Sequence, residues 1–286
     1  MTEKKSESVR MLQETIEELY DLDPARFPPE ASEVVGELRA KLSSGEVRAA
    51  EPGPHGWVVN AWVKKGILVG FRLGQIEEYS AGEPFRFFDK NTFPPRKLEI
   101  YDGVRVVPGG SSIRDGAFVG RGVVCMPPMF INVGAYVDAG TMIDSHALIG
   151  SCAQIGQHVH ISAGAQIGGV LEPVGAMPVI IEDDVLVGGN CGIYEGIRVR
   201  KGAVLASGTI LTRSTPVYDL VTEMELRAEG ENPLSIPRGA VVVPGSRPAK
   251  GDFGSSKGLQ IYTPVIVKYR DPGTDAAVAL ESALRK

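Results

Sequence analysis

Cysteine, histidine and tryptophan are scarce in this chain, with three, four and two copies among 286 residues. The three cysteines (Cys125, Cys152 and Cys191) have no partner at metal-ligand spacing, and an odd number leaves no complete disulfide framework. Their expected role is packing in a reducing compartment. No apolar run approaches a membrane span, and the opening MTEKKSESVR contains no apolar signal core, which together predict a cytoplasmic protein with no membrane partner. Excess basic charge is missing too. The formal net charge of −5 excludes a general pull toward nucleic acid, so an anionic ligand must be held by local Arg and Lys. Glycine, by contrast, is plentiful at 35 residues, and 43% hydrophobic content suffices for two domains and a sizeable core.

From Ile113 to Pro216 the sequence returns to itself every six residues. Ile113, Val119, Cys125, Ile131, Val137, Ile143, Ile149, Ile155, Ile161 and Ile167 share one position, and the register restarts at Ile181, Val187, Ile193, Val199, Leu205 and Leu211. Two residues before most of them lies a smaller residue, such as Ala117, Thr141, Ala153 or Ala203, and Gly, Asn or Asp commonly follows. A fixed six-residue period predicts a parallel β-helix, in which three hexads make a triangular coil of about eighteen residues, with coils stacked about 4.8 Å apart. The large aliphatics fill the prism, and Gly, Asn and Asp suit its corners. Sixteen such units give about five coils, a prism on the order of 25 Å tall.

Outside the repeat the pattern changes. MLQETIEELY and EVVGELRAKLSSG have helical spacing, separated by the Pro-rich DPARFPPE. WVVNAWVKKGILVGFRL reads as a helix breaking into a strand at about Gly66, and residues 75–105 read as irregular, with FRFFDKNTFPP looping over the surface. After the prism, AVVVPGSRP and LQIYTPVIVKYR read as strands around a mobile stretch from Ala249 to Gly258, and DAAVALESALRK as a short helix capping the open prism end. The expected organisation is an N-terminal α/β domain at 1–105, the β-helix at 106–217 with an inserted loop at 168–180, and C-terminal strands and capping helix at 218–286. A loop leaving a rigid prism is a natural place for ligand contacts. An isolated prism has flat faces, so sites are expected in clefts between copies, in a homotrimer about a threefold axis.

The segments VRVVPG, INVGAYVDAGTMIDSHALIGSCAQIG, HVHISAG, IGGVLEP and IIEDDVLVGGN closely resemble the tetrahydrodipicolinate N-succinyltransferase family, as do SGEVRAAE, W-x4-W-x-KK and PVIVKY outside the repeat. The resemblance covers most of the chain. It implies a left-handed coil and a reaction of the diaminopimelate branch of lysine biosynthesis. Succinyl-CoA, as co-substrate, gives its acyl group to the amine of the opened, hydrated substrate, with no metal or prosthetic group. An aliphatic amine of pKa about 10 is mostly protonated at neutral pH, a deficit of roughly 4 kcal/mol. A carboxylate that holds the ammonium and accepts a proton addresses it, and the tetrahedral intermediate calls for a hydrogen-bond donor.

Asp144, in the polar position after Ile143, matches the aspartate of the family's GTMxD run, implying substrate binding and catalysis; spacing alone favours a corner residue bonding its own turn, the reading also open for Asp138. Arg105 matches the family's R-V-V-P arginine, suited to clamping a substrate carboxylate, with a solvated arginine at the prism entrance as the alternative; further arginines are needed because substrate and donor together bring three carboxylates. One departure is visible. Members of the family carry a glutamate three residues before the one matching Glu195, where this chain has Gly192, leaving Glu195 a second catalytic candidate or a surface charge. For CoA, amides near Ser162 and Gly164 and near Ala206 to Gly208 are candidates for the pantetheine arm. Lys201 with Arg198 and Arg200, or Arg247, Lys250 and Lys257, are candidates for the phosphates, with a solvated charged face as the alternative for each.

Rival readings make distinct demands. A zinc-dependent prism enzyme needs clustered histidines, but His146 and His158 fall on different faces, and His160 suits either CoA or a corner. A tetrahydrodipicolinate N-acetyltransferase would share the reaction with a different donor, and nothing in the residues identifies what holds the donor's carboxylate. A non-catalytic scaffold predicts no thermal stabilisation by CoA, whereas every acyltransferase predicts it.

Overall fold

The computed structural model describes residues 2–80, 82, 85–230, 232–271 and 273, with side chains from residue 7 onward. The expected helix at DAAVALESALRK lies outside the described residues. Sixteen two-residue strands run from Ser112–Ile113 to Ile210–Leu211, and each ends on one of the sixteen repeat positions. Every one of those side chains is buried, Ile113 being the most exposed at 6%. The residue before each points outward because side chains alternate along a strand.

Each strand pairs in parallel with those three before and three after it, so the coil has three faces. The first face carries Phe118–Val119, Tyr136–Val137, Gln154–Ile155, Ile180–Ile181 and Arg198–Val199. The second carries Arg105–Val106, Val124–Cys125, Met142–Ile143, His160–Ile161, Leu186–Val187 and Val204–Leu205. The third runs from Ser112–Ile113 to Ile210–Leu211. This is a triangular parallel β-helix, as the period predicts. Even the polar inward residue Thr141 is satisfied: its hydroxyl donates to the Gly156 carbonyl at 2.9 Å and accepts from the Val159 N–H at 3.1 Å.

The coil continues beyond residue 217. After an excursion that hides the period, Ser235–Ile236 stacks on Arg198–Val199, and Val241 and Val242 stack on Val204 and Leu205. The strand Ala240–Pro248 then leaves the prism as an arm, paired antiparallel with Gln260–Tyr269. Val217–Asp219 lies beside Gln260–Tyr269, and the Tyr269 hydroxyl donates to Asp219 Oδ2 at 2.6 Å. The stretch expected to be mobile contains a short helix at Asp252–Ser256.

The N-terminal layer consists of α1 (Thr2–Asp21), α2 (Ala31–Ser43) and α3 (Ala61–Leu73). Its core, including Ile16, Leu38 and Ile67, closes over Val133 and Cys152 at one edge of the prism. The order expected for 57–73 is reversed: Gly56–Val59 is a strand paired with Ala50–Gly53, and α3 then runs unbroken through Gly66. Gly66 serves a close crossing rather than a break, since a Cβ there would sit 2.4 Å from Leu38 Cδ2. The region expected to loop forms a hairpin, Ile76–Ser80 with Arg86–Lys90. Phe87 and Phe88 are both exposed, so the strand shows no apolar–polar alternation to reveal it. No described helix is long and apolar enough to cross a membrane.

Candidate active site

The corners decide what the prism offers a ligand. Where a turn begins with Asp or Asn, that side chain takes the next main-chain N–H: Asn132 Oδ1 from Val133 at 2.8 Å, Asp138 Oδ1 from Ala139 at 2.7 Å, Asp144 Oδ1 from Ser145 at 2.7 Å. The turn bond expected of a corner aspartate is therefore present at Asp144. One oxygen serves the turn, and the other is not used by it. Asp144 is half-buried at the edge between the second and third faces.

Above Asp144 on this edge stand the turns beginning at Ser162, Gly188 and Ala206, one per coil. Ser162, Gly164, Ala206 and Gly208 are thus brought into one column with Asp144 at its foot. The N–H groups of Ser162, Gly164, Ala206 and Gly208 themselves are committed to stacking. Ser162 N–H donates to Val187, Gly164 to Ser145, Ala206 to Val242 and Gly208 to Gly189, at 2.8–2.9 Å. The middle residues of these turns, Ala163, Gly189 and Ser207, have no such partner among the described residues, because Ser, Gly and Ala supply no carboxylate where Asp144 does. Three uncapped N–H groups therefore line the edge at about 4.8 Å intervals.

Arg105 is exposed on the second face, in register with Val124 and so two strands below Met142, roughly 10 Å away. His160 occupies the outward position between Met142 and Leu186 and is 8% exposed. Lys201 departs from its expected place. It lies on the edge between the first and second faces, its ammonium 3.1 Å from Asp184 and 3.5 Å from Asp183, and hydrogen bonding and charge from Asp184, then Asp183, raise its pKa. Arg198 is likewise held by Glu182, Nε to Oε1 at 2.6 Å. Arg247, Lys250 and Lys257 ride on the arm above the column.

The inserted loop, 168–179, folds back over the edge between the third and first faces and roofs a cleft of about 1500 Å³. It approaches so closely that a Cβ on Gly150 would sit 2.2 Å from the Gly169 nitrogen. Lys64 of α3 holds it from behind: fully buried, its ammonium donates to the Ala176 carbonyl at 2.6 Å. Burial lowers the Lys64 pKa, partly offset by the neighbouring Cys152 sulfur. Sequence reading did not single out Lys64 as a residue, though it lies in the W-x4-W-x-KK run. Burial likewise pushes the Cys152 and Cys125 thiols up to about 12, so both are packing groups.

Glu195 lines this cleft beside Tyr194, Arg213 and Ser214. It is an edge away from Asp144, across the third face, so one copy of the chain does not bring the two carboxylates together. The place of Gly192 is covered by Tyr194, whose ring carbon Cε2 would lie 2.5 Å from a Cβ there. Among the described residues no three His, Cys, Asp or Glu side chains are grouped as metal ligands.

Residues 11–73 match the family described as tetrahydrodipicolinate N-succinyltransferase N-terminal, and residues 178–213 match the hexapeptide repeat of succinyl-transferase. Among curated proteins, 2,3,4,5-tetrahydropyridine-2,6-dicarboxylate N-succinyltransferase of Aromatoleum aromaticum is 44% identical over 285 residues, 96% of this chain and 97% of its own. The same-named proteins of Afipia carboxidovorans and Sodalis glossinidius are 44% identical over 255 residues (86% of each chain) and 39% identical over 289 residues (97% and 99%).

Proposed function

The chain belongs to the tetrahydrodipicolinate N-succinyltransferase family, and from that membership we infer that it moves the succinyl group of succinyl-CoA to the amine of opened tetrahydrodipicolinate. Identity running through helical layer, coil and arm alike is the observation that carries this reading. The amine nitrogen attacks the thioester carbonyl carbon, the carbon–sulfur bond breaks as the tetrahedral adduct collapses, and CoA leaves as its thiol. Asp144 takes the proton that the ammonium must lose, through the oxygen its own turn does not use. The Ala163 N–H, one coil above and without a main-chain partner among the described residues, donates to the developing oxyanion. Arg105 clamps a substrate carboxylate.

The pantetheine arm runs up the column of turns from Ser162 and Gly164 to Ala206 and Gly208, meeting the uncapped N–H groups of Gly189 and Ser207 rather than the committed ones. The phosphates reach Arg247, Lys250 and Lys257 on the arm. The coil winds left-handed, and three copies pack about a threefold axis so that the Asp144 edge of one faces the loop cleft of the next. The protein works in the cytoplasm.

Thiol release with 2-aminopimelate as acceptor tests this reading. Succinyl-CoA should be strongly preferred to acetyl-CoA. Preference for acetyl-CoA would move the chain to the acetylating reaction, and no release from either would leave the transfer reading without support.

A further inference from the structure

The loop cleft holds a pair of opposite charges that nothing above explains. Glu195 and Arg213 are eighteen residues apart, one coil, and so stand at the same edge with Arg213 above. They do not neutralise each other. Glu195 Oε2 accepts the Arg213 main-chain N–H at 2.7 Å, while the Arg213 guanidinium turns to the Gly230 carbonyl. Each is anchored by one bond and keeps the rest of its capacity: a carboxylate has a second oxygen, and a guanidinium has five N–H donors. Among the described residues lining the cleft, Arg213 is the single cation, and Glu172 and Glu195 are the only carboxylates. Arg213 standing one coil above Glu195 in this cleft is the complement of an α-amino acid, which carries an ammonium and a carboxylate on one carbon.

We propose that Arg213 and Glu195 form the subsite for the amino-acid end of the acceptor, Arg213 binding the carboxylate adjacent to the amine and Glu195 the ammonium. This rests on the transfer reading above and supplies the second arginine that a dicarboxylate acceptor requires beside Arg105. The ammonium enters held by Glu195 and surrenders its proton to Asp144 of the neighbouring copy, so the two carboxylates act in succession.

The test compares three ligands on wild type and Arg213→Gln, by calorimetric binding and by thiol release with succinyl-CoA. 2-Aminopimelate has both carboxylates, 6-aminohexanoate lacks the one beside the amine, and norleucine lacks the distant one. In wild type, loss of the adjacent carboxylate should weaken binding and kcat/KM about tenfold to a hundredfold, the scale of a hydrogen bond to a charged group. In Arg213→Gln that discrimination should vanish, while discrimination against norleucine and the KM for succinyl-CoA stay as in wild type. Discrimination against 6-aminohexanoate that survives in Arg213→Gln, or a loss falling on succinyl-CoA instead, would overturn the subsite while leaving transfer intact. Arg213-dependent binding without thiol release would retain the subsite and defeat the transfer reading. Absence of measurable binding of 2-aminopimelate to wild type would overturn the subsite outright.

Discussion

At the scale of single residues, function hangs on what a corner side chain does with the N–H beside it. One Asp144 oxygen caps its own turn and the other is the proton acceptor proposed above, so Asp144→Asn keeps the oxygen that caps Ser145 and loses that acceptor. That variant should keep its oligomeric state and thermal midpoint and lose turnover by at least a hundredfold, the scale of general-base catalysis; activity within tenfold of wild type by thiol release would remove Asp144 from the mechanism. Gly192 is constrained by the Tyr194 ring, 2.5–2.9 Å from where a Cβ would stand. Gly192→Ala should therefore destabilise by about 1–3 kcal/mol in denaturant melts. Adding Tyr194→Ala should recover much of that loss, because the two changes share one contact. A family glutamate has no room at 192 while Tyr194 lies over it.

At the scale of elements, a polar side chain reaches in to tie down both the loop and the arm. Lys64 reaches from α3 to the Ala176 carbonyl, so Lys64→Met should loosen the 168–179 loop and speed its cleavage by a protease in native buffer, with the prism itself intact. Unchanged cleavage would mean that packing alone holds the loop. Tyr269 ties the arm to Val217–Asp219 through Asp219; burial and that bond push its phenol up to about 12. A folded pKa above the ordinary value of 10 makes the contribution complete below pH 10 and lost as pH rises through 12. Tyr269→Phe should cost about 1–3 kcal/mol at neutral pH, the worth of a hydrogen bond to a charged group, and the difference from wild type should shrink in alkaline melts.

Elements also differ in how openly the sequence declares them. The sixteen inward positions are aliphatic apart from Cys125 and keep the six-residue step on both sides of the inserted loop, so the period reads directly as faces and coils. The hairpin at 76–90 is hidden because its aromatics are exposed, and α3 because Gly66 looks like a break until Leu38 is seen crossing it. The uncapped column was open to inference from corner residue type alone: Asp at 144, but Ser, Gly and Ala at 162, 188 and 206. The Arg213–Glu195 pair was equally open through its spacing of one coil. Lys64 was not, since a lysine in an amphipathic helix declares no carbonyl 112 residues away.

For the whole molecule, the two halves of the chemistry stand on different edges of one prism. Asp144 and the uncapped column occupy one edge; the loop cleft with Glu195 and Arg213 occupies the next. The proposed transfer therefore takes an edge from one copy and a cleft from another, which the closed threefold packing proposed above would supply three times over. Light scattering should give three times the 30.5 kDa chain mass at assay concentrations. A monomer with full activity would contradict the shared site. The N-terminal layer contributes from outside the coil, with Arg48 donating to Gln154 at 2.9 Å and standing 3.6 Å over the Tyr136 ring, so the SGEVRAAE run is explained as a clamp between layer and prism.

The most direct test is the identity of the product. Incubation with succinyl-CoA and 2-aminopimelate, followed by mass spectrometry and NMR of the acceptor, should yield acceptor succinylated on the amine, with one CoA thiol released per molecule formed. An unmodified acceptor, or thiol released without an N-acyl product, would contradict the account at its centre.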